Sequence, residues 1–203
     1  MRQICAVILA AGMSSRMGEA KQLVSLHGRY LLEHVIWLAL QEGFAQVLTV
    51  IGHEADRIQR SIQIEDPRFR WVINPMYRLG QSTSFTLGIR KALEAHSSAM
   101  VFLGDQPLVK RQTVHEVWSH GNKRLQDVQQ PFVLQPAYRG KPGHPVFFGN
   151  VNSALFENLA GDQGAKPIIA TMNRRILLPV DDPGIHFDID TRADFVKAQH
   201  NIG

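Results

Sequence analysis

The sequence has very little cysteine and no hydrophobic run of membrane-spanning length. Cys5 is the only cysteine among the 203 residues, which excludes an intrachain disulfide and a cysteine-based zinc site. One thiol within an apolar segment is typical of a small core residue in a protein of a reducing compartment. A membrane helix needs about 20 apolar residues, and the apolar run near the N-terminus ends at a glycine without a cleavage signal. We therefore expect a cytoplasmic protein with no membrane partner.

Long runs of one charge are also missing. The chain carries 22 Lys and Arg against 18 Asp and Glu, a formal net charge of +4, and the basic residues are spread along its length. Proteins that bind nucleic acids usually concentrate positive charge on one face or in one tail. The sequence therefore favours small anionic ligands and predicts no nucleic-acid partner.

What the chain does contain is an alternation of short apolar segments with segments of helical spacing. Alternation of this kind predicts a parallel sheet covered by helices on both faces. No repeat or flexible linker interrupts it, so we expect a single domain over residues 1–203. The predicted strands are 4–10, 47–52, 71–74 and 99–104, and the predicted helices are 30–40, 55–62, 82–93 and 113–121.

The pattern changes after residue 130. Residues 131–140 and 144–148 are typical of two strands around a Gly-Lys-Pro-Gly segment, which predicts a hairpin. We therefore expect an α/β fold of the Rossmann-like type, a three-layer α/β/α sandwich with a mostly parallel central sheet and an antiparallel addition. Further helices are predicted at 151–159 and 164–172, further strands at 175–180 and 187–190, and a last helix after a capping box of Thr191 and Asp194.

A loop rich in small residues, 11–21, leaves the first predicted strand. Ligands of open α/β sheets lie beyond the carboxyl ends of the strands, and the small residues 10–12 would let a nucleotide approach the backbone N–H groups. Ser14 adds a hydroxyl, Arg16 a guanidinium suited to phosphate oxygens, and Lys21 a point charge. The spacing matches neither the P-loop nor the dinucleotide-binding fingerprint. Two interpretations stay open at this point, a phosphate cradle and an ordinary surface loop with solvated cations.

Two aspartates stand at the ends of apolar segments in the second half of the chain. Asp105 follows the predicted strand 99–104, and Asp190 ends a later one. Mg²⁺ bound to a nucleotide is usually held by one or two carboxylates together with phosphate oxygens. Asp105 and Asp190 are therefore candidate metal ligands if their strands are neighbours. The alternatives are a turn aspartate before Pro107 and a residue flanking the Thr191 cap.

The loops contain a series of motifs. The first, Leu-Ala-Ala-Gly-x-Ser-x-Arg-Met-Gly-x-x-Lys, consists of Leu9, Ala10, Ala11, Gly12, Ser14, Arg16, Met17, Gly18 and Lys21. The others are Gly80, Ser82 and Ser84; Gly104, Asp105 and Pro107; Gly140, Gly143, His144 and Pro145; Gly161, Asp162, Gly164 and Ala165; and 188–191. Together they resemble the molybdopterin nucleotidyltransferases of the nucleotide-diphospho transferase superfamily, over nearly the whole chain. The resemblance implies a fold of the nucleotide-diphospho-sugar transferase type.

Two positions within the first motif distinguish branches of these families. Guanylyltransferases usually carry glycine where this sequence has Ala11, and the additional methyl narrows the floor of a base pocket. The sequence is therefore more similar to the cytidylyltransferase branch, and CTP is expected rather than GTP. Isoprenoid-pathway cytidylyltransferases share the first motif but usually have proline before the lysine, where this chain has Ala20.

The resemblance implies a Mg²⁺-dependent transfer of CMP from CTP to the terminal phosphate of molybdopterin, with pyrophosphate as the second product. The implied catalytic residues are Arg16, Lys21 and Asp105, and Asp105 and Asp190 are implied to bind Mg²⁺. The implied nucleotide-binding residues are Leu9, Ala10, Ala11, Gly12, Ser14, Arg16, Lys21, Gly80, Ser82 and Ser84. The implied acceptor-binding residues are Gly143, His144, Asp162 and Gly164.

Two other functions fit the same motifs. In one, the protein is an escort that binds the finished cofactor and brings it to the apo-enzyme of a molybdenum hydroxylase. In the other, CTP reacts with a different phosphorylated acceptor, such as a sugar or polyol phosphate. The intact Arg16, Lys21, Asp105 and Asp190 favour an enzyme over an escort alone. His144 also has a simpler interpretation, as a packed or capping residue.

Overall fold

The computed structural model describes residues 4–14 and 17–200, and a mixed β-sheet forms its centre. The strands are β1 (Cys5–Leu9), β2 (Ser25–Leu26), β3 (Arg29–Tyr30), β4 (Gln46–Ile51), β5 (Phe69–Ile73), β6 (Ala99–Leu103), β7 (Phe132–Tyr138), β8 (Lys141–Pro142), β9 (Val146–Gly149) and β10 (Arg175–Pro179). The α-helices are α1 (Leu31–Leu40), α2 (Ala55–Ser61), α3 (Gln81–Leu93), α4 (Arg111–Asp127), α5 (Lys166–Thr171) and α6 (Arg192–His200). Short 3₁₀ turns lie at Lys21–Leu23, Tyr77–Leu79, Ser153–Phe156 and Pro183–His186.

The strand order across the sheet is β10-β7-β9-β6-β1-β4-β5, with β8 paired to β7. β1 runs parallel to β4 and β6, and β4 runs parallel to β5, because helical connections return the chain to the same edge between these strands. β9 runs antiparallel to both β6 and β7, while β10 is parallel to β7. The predicted fold class is confirmed: a mostly parallel sheet with an antiparallel addition, flanked by helices.

Apolar layers on both faces hold the helices against the sheet. α1, α2 and α4 pack on one face, and α3 and α5 pack on the other. α3 comes especially close, since a Cβ on Gly88 would lie 2.6 Å from Val7 Cγ1 and 2.8 Å from Val50 Cγ2. Glycine at this position lets α3 lie directly on β1 and β4, so that its N-terminus stands beside the loop that follows β1.

Two predicted elements differ from the structure. Residues 187–190 do not form a strand, although the Ile189 N–H donates to the Asp105 carbonyl at 3.0 Å. Apolar and polar residues alternate in this segment, which imitates a strand pattern, but only Ile189 is fully buried. The predicted helix 151–159 is reduced to the turn Ser153–Phe156, in which Phe156 is the one buried residue. So little apolar surface does not support a longer helix.

None of the helices in residues 4–14 and 17–200 is long and apolar enough to cross a membrane. The 17 residues of α4, for example, combine buried positions such as Val114 and Val117 with charged side chains. This is the pattern of a helix that packs one face on a sheet and exposes the other to water.

Candidate active site

The loop after β1 is held by a buried glutamine. Gln22 Nε2 donates to the carbonyl groups of Ala10 at 2.8 Å and Gly12 at 3.2 Å. Ser14, with φ of 55°, donates through Oγ to Gln22 Oε1 at 3.3 Å and accepts from the Lys21 N–H at 3.1 Å. The loop carbonyls therefore face Gln22. The sequence analysis missed Gln22, because nothing in the sequence distinguishes it except its position next to Lys21.

Lys21 joins the two predicted metal ligands. Its Nζ lies 2.6 Å from Asp105 Oδ2 and 2.9 Å from Asp190 Oδ1, and its side chain is only 15% exposed. Burial by itself would lower the pKa of Lys21, but the two carboxylates outweigh burial and raise that pKa above its ordinary value of 10.5. The ammonium group is therefore charged at neutral pH. Arg16, the other predicted cation, lies outside the described residues.

The two aspartates meet because their segments are neighbours at the carboxyl edge of the sheet. The Ile189 N–H donates to the Asp105 carbonyl at 3.0 Å, which sets Asp190 beside the end of β6. Gly104 permits the close turn before Asp105, since a Cβ on Gly104 would lie 2.8 Å from Ala10 Cβ. The irregular segment 187–190 thus supplies its carboxylate without being a strand.

The oxygen donors at this point suit a hard divalent cation. Asp105 Oδ2 and Asp190 Oδ1 both approach one positive charge, the Lys21 ammonium, and carboxylate oxygens are preferred ligands of Mg²⁺. Asp188 is a third carboxyl group of this segment. Burial first, and then the charges of Asp105 and Asp190, raise its pKa, although Gln106 Nε2 donates to it at 2.7 Å. Within the described ranges no group of three or more His, Cys, Asp or Glu is arranged as a metal site. A bound Mg²⁺ would therefore need further oxygens from phosphates or water.

A cavity of about 340 Å³ lies beside this loop. Its wall includes many of the predicted nucleotide-binding and catalytic residues: Leu9, Ala10, Ala11, Gly12, Lys21, Gly80, Ser84 and Asp105. Ala11 is 5% exposed and also belongs to the apolar layer under α3. The wall further includes Tyr77, Arg78 and Gln81, which the sequence analysis missed because no local pattern distinguishes them.

The N-terminus of α3 is anchored by Asn74, a buried residue that the sequence analysis also missed. Asn74 Nδ2 donates to Thr83 Oγ1 at 3.0 Å and to Ser84 Oγ at 2.9 Å. Ser82 is fully buried, and its Oγ donates to the Ala160 carbonyl at 3.1 Å. Ser82 is not among the residues that line the first cavity, and its predicted nucleotide contact stays a prediction.

Asp162 lines the first cavity, where its Oδ1 accepts a hydrogen bond from the Gln81 N–H at 3.2 Å. Its predicted contact with the acceptor stays a prediction. Gly80 makes the contact with Gln81 possible. Its φ is 109°, and a Cβ there would lie 2.5 Å from the carbonyl group of Gly161. Asp162 therefore fixes the first turn of α3 against the loop that contains Gly161.

A second cavity of about 760 Å³ adjoins the first and lies between α5 and strands β6, β9 and β7. Three of the four predicted acceptor residues, Gly143, His144 and Gly164, line it. The two cavities share the wall residues Leu9, Gln81, Leu103 and Asp105. The arrangement can hold two ligands that meet at Asp105.

His144 faces the second cavity as a neutral ring. Burial is the main cause that lowers its pKa to about 4, the positive charge of Lys166 acts in the same direction, and the negative charge of Asp105 opposes both. The imidazole can therefore donate or accept a hydrogen bond at neutral pH without carrying charge. Lys166, at the start of α5, also lines the cavity and was missed by the sequence analysis.

Comparison with known proteins gives a consistent family match. Residues 6–176 match the model of the MobA-like NTP transferase domain. The molybdenum cofactor cytidylyltransferase of Escherichia coli K12 is 26% identical over 207 residues, which cover 98% of this chain and 97% of that protein. The nicotine blue oxidoreductase of Paenarthrobacter nicotinovorans is 27% identical over 192 residues, which cover 93% of this chain and 92% of that protein.

Other similarities are partial or concern the fold. The bifunctional protein GlmU of Marinobacter nauticus is 35% identical over 116 residues, which cover 56% of this chain but only a quarter of GlmU, 25%. The structure of Rv0371c from Mycobacterium tuberculosis H37Rv in complex with manganese aligns with a TM-score of 0.76 and 22% identity, covering 98% of this chain and 100% of that chain. At this level of identity the alignment establishes a common fold.

Proposed function

The chain belongs to the family of MobA-like NTP transferase domains, and on that premise we propose that it transfers CMP from CTP to the terminal phosphate of molybdopterin. The observation that carries the proposal is the wall common to the two cavities, where Asp105 forms an ion pair at 2.6 Å with Lys21 of the first cavity. CTP would occupy the first cavity and molybdopterin the second. The full-length similarity to a molybdenum cofactor cytidylyltransferase supports this choice of substrates.

The reaction needs no protein nucleophile and no strong base. An oxygen of the acceptor phosphate, already ionised at neutral pH, attacks the α-phosphorus of CTP. The bond from that phosphorus to the bridging oxygen breaks, and pyrophosphate leaves with the electron pair. Catalysis of such a step consists mainly of positioning and charge neutralisation.

The chain's own residues supply both effects. Lys21, charged at neutral pH, would bind the α-phosphate and the departing pyrophosphate, and Arg16 would bind the β- and γ-phosphates. The backbone N–H groups of Ala11 and Gly12 would donate to the nucleotide, and Gly80 would contact it from the wall of the first cavity. One well-placed donor of this kind typically contributes a factor of about 10² to 10³ in turnover.

Asp105 and Asp190 would hold Mg²⁺, and Lys21 would then bind phosphate instead of these carboxylates. When bound, the metal supplies positive charge to the triphosphate oxygens. Two carboxylates are the number that Mg²⁺–nucleotide sites commonly use. The manganese complex of Rv0371c, which has the same fold, supports a divalent metal.

The choice of CTP over GTP rests on Ala11. Ala11 lines the first cavity, where glycine would leave more room for a purine. Ala11 is almost fully buried. Its methyl group forms no hydrogen bond, so it would affect the choice of base only through the width of the cavity.

The test is pyrophosphate release by the purified protein with Mg²⁺ and molybdopterin, in parallel reactions with CTP and GTP. The proposal expects release that depends on molybdopterin and is faster with CTP. Release with GTP alone would contradict the role of Ala11 and retain the transferase. Tight molybdopterin binding without release from either nucleotide would indicate the escort, and release only with sugar or polyol phosphates would change the acceptor. Because one relative is named an oxidoreductase, NADPH oxidation is measured in parallel, and none is expected.

A further inference from the structure

A buried polar side chain interrupts the apolar floor of the second cavity. Gln135, in the middle of β7, is 7% exposed and lines the cavity together with Val101, Val146 and Phe148. Within the described part of the chain, its side chain makes one hydrogen bond, in which Arg175 Nε donates to Gln135 Oε1 at 3.2 Å. Burying a carboxamide is costly unless its polar groups find partners. The Nε2 group has no such partner in residues 4–14 and 17–200.

The chemistry of arginine determines how this carboxamide is oriented. A guanidinium group has donors and no acceptor, so the oxygen of Gln135 must face Arg175 and the Nε2 group must face away. Gln135 and Arg175 both line the second cavity. Together they present N–H donors to a ligand, while the oxygen of Gln135 is turned toward Arg175. A pair of this kind binds the carbonyl oxygen of a ligand and rejects an N–H group in the same place.

The pair lies far from Asp105 within the same cavity. β7 pairs with β9 and β9 pairs with β6, so Gln135 is two strands away from Leu103, the last residue of β6. By the register of the strands, Gln135 is level with Val101, which lies two residues before Leu103 in β6. The separation from Leu103 is therefore about 10 Å across the sheet and about 7 Å along the strands. A ligand that places a phosphate at Asp105 and a carbonyl at Gln135 must carry an extended body between them.

We infer that Gln135, oriented by Arg175, recognises the ring carbonyl of a pterin and so selects a phosphorylated fused heterocycle as the acceptor. The inference rests on the proposed function, because it takes the occupant of the second cavity to be a phosphorylated acceptor. The apolar side chains of Val101 and Val146 lie in β6 and β9 between the two ends. Together with Ile169, which lines the same cavity, they suit the faces of a flat ring. A sugar or polyol phosphate would leave these surfaces uncovered.

The test compares two variants by direct binding, without turnover. Gln135→Glu keeps the size and the pairing with Arg175 but replaces the donors by an acceptor, and Gln135→Leu removes both. The two pterin probes are molybdopterin and 6-hydroxymethylpterin phosphate, and their binding is measured by calorimetry. CTP with Mg²⁺ is titrated in the same way in a separate experiment. Loss of one ligand hydrogen bond in a buried place predicts an increase of about tenfold in the dissociation constant of both pterins. The affinity for CTP should not change.

Gln126→Glu is the matched control, because Gln126 is exposed on α4, on the opposite face of the sheet. It should leave both affinities as in the wild type. Wild-type affinity for the pterins in both Gln135 variants would overturn the inference and leave the proposed function standing. Loss of CTP affinity along with pterin affinity in both variants would also overturn it, since Gln135 would then support the fold. A wild-type protein that binds CTP but neither pterin would instead contradict the proposed function.

Discussion

Substitution of Lys21 gives the most informative test of the candidate active site. Lys21→Met keeps the aliphatic stem but removes the charge between Asp105 and Asp190. We expect turnover to fall by about 10² to 10³, because no cation would stabilise the charge that develops on the phosphates. We also expect tighter Mn²⁺ binding in the absence of nucleotide, because the two carboxylates lose the cation that neutralises them. Pyrophosphate release and electron paramagnetic resonance of Mn²⁺ measure the two effects.

Lys91→Met is the matched control for this variant. Lys91 is exposed on α3 and pairs with Glu94 at 2.8 Å, so its loss removes a surface ion pair of little energetic value. It should change neither quantity. Turnover of Lys21→Met at the wild-type level would exclude Lys21 from catalysis, and weaker Mn²⁺ binding would contradict competition for the two carboxylates.

His144 gives the protein a predictable loss of stability in acid. Its pKa is lowered from 6.5 to about 4 in the folded protein, so the unfolded chain takes up the proton first as pH falls. The contribution of His144 to the free energy of unfolding is therefore complete above pH 6.5 and is lost progressively between pH 6.5 and 4. At pH 4.5 the loss is about 2 to 3 kcal/mol, from the change of 1.36 kcal/mol per unit of pKa.

Denaturant unfolding of wild type and His144→Gln at pH 7 and pH 4.5 measures this loss. The drop in the free energy of unfolding between the two pH values should be smaller in His144→Gln by about 2 to 3 kcal/mol. His120→Gln, at an exposed histidine of α4 that contacts the Glu116 carbonyl, should show the full wild-type drop. Equal drops in wild type and His144→Gln would mean that the ring is not held neutral.

The loop after β1 depends on one side chain for its shape. Gln22→Met keeps the length of the side chain but leaves the carbonyl groups of Ala10 and Gly12 without their donor. We expect the free energy of unfolding to fall by about 2 kcal/mol, because two partly buried carbonyls lose a partner. We also expect the KM for CTP to rise about tenfold with little change in the KM for molybdopterin, because the loop lines only the first cavity.

Gln126→Met, at the exposed position on α4, serves as the control for the substitution itself. It should leave stability and both KM values unchanged. An equal rise in both KM values for Gln22→Met would show that Gln22 supports the whole site and not the first cavity alone.

The two cavities lie on two parts of one sheet, so binding in either should stabilise the whole chain. CTP with Mg²⁺ at a concentration 100 times its dissociation constant would add about 2.7 kcal/mol to the free energy of unfolding. For a chain of this size that corresponds to an increase in Tm of about 5 to 10 °C. Differential scanning calorimetry measures it, with GTP at the same concentration as the comparison.

GTP should give the smaller increase in Tm, because the first cavity is expected to exclude the larger base. An equal increase with both nucleotides would contradict the role of Ala11. No increase with either would contradict the assignment of the first cavity to a nucleotide.

The amino-acid sequence by itself determined the fold class, most elements and the main candidate residues. Apolar periodicity is a local property, and β1, β6 and α3 are recognisable without any knowledge of their neighbours. The same holds for Asp105, which follows a strong apolar strand, and for the loop that carries Lys21. The segment 187–190 marks the limit of this approach, since its apolar and polar residues alternate but it pairs with no strand in the described part of the chain.

Only the tertiary structure decided which side chains share a cavity. Lys21 and Asp190 are separated by 169 positions in the chain and lie 2.9 Å apart. Ser82 lies in the interior and Asp162 lies at the first cavity, because the packing of α3 against the loop at Gly161 sets the directions of both side chains. Gln22 and Gln135 carry no local signal, since a buried glutamine becomes meaningful only through the groups around it. Direction and burial result from contacts between distant segments, and a pattern read along the chain does not contain them.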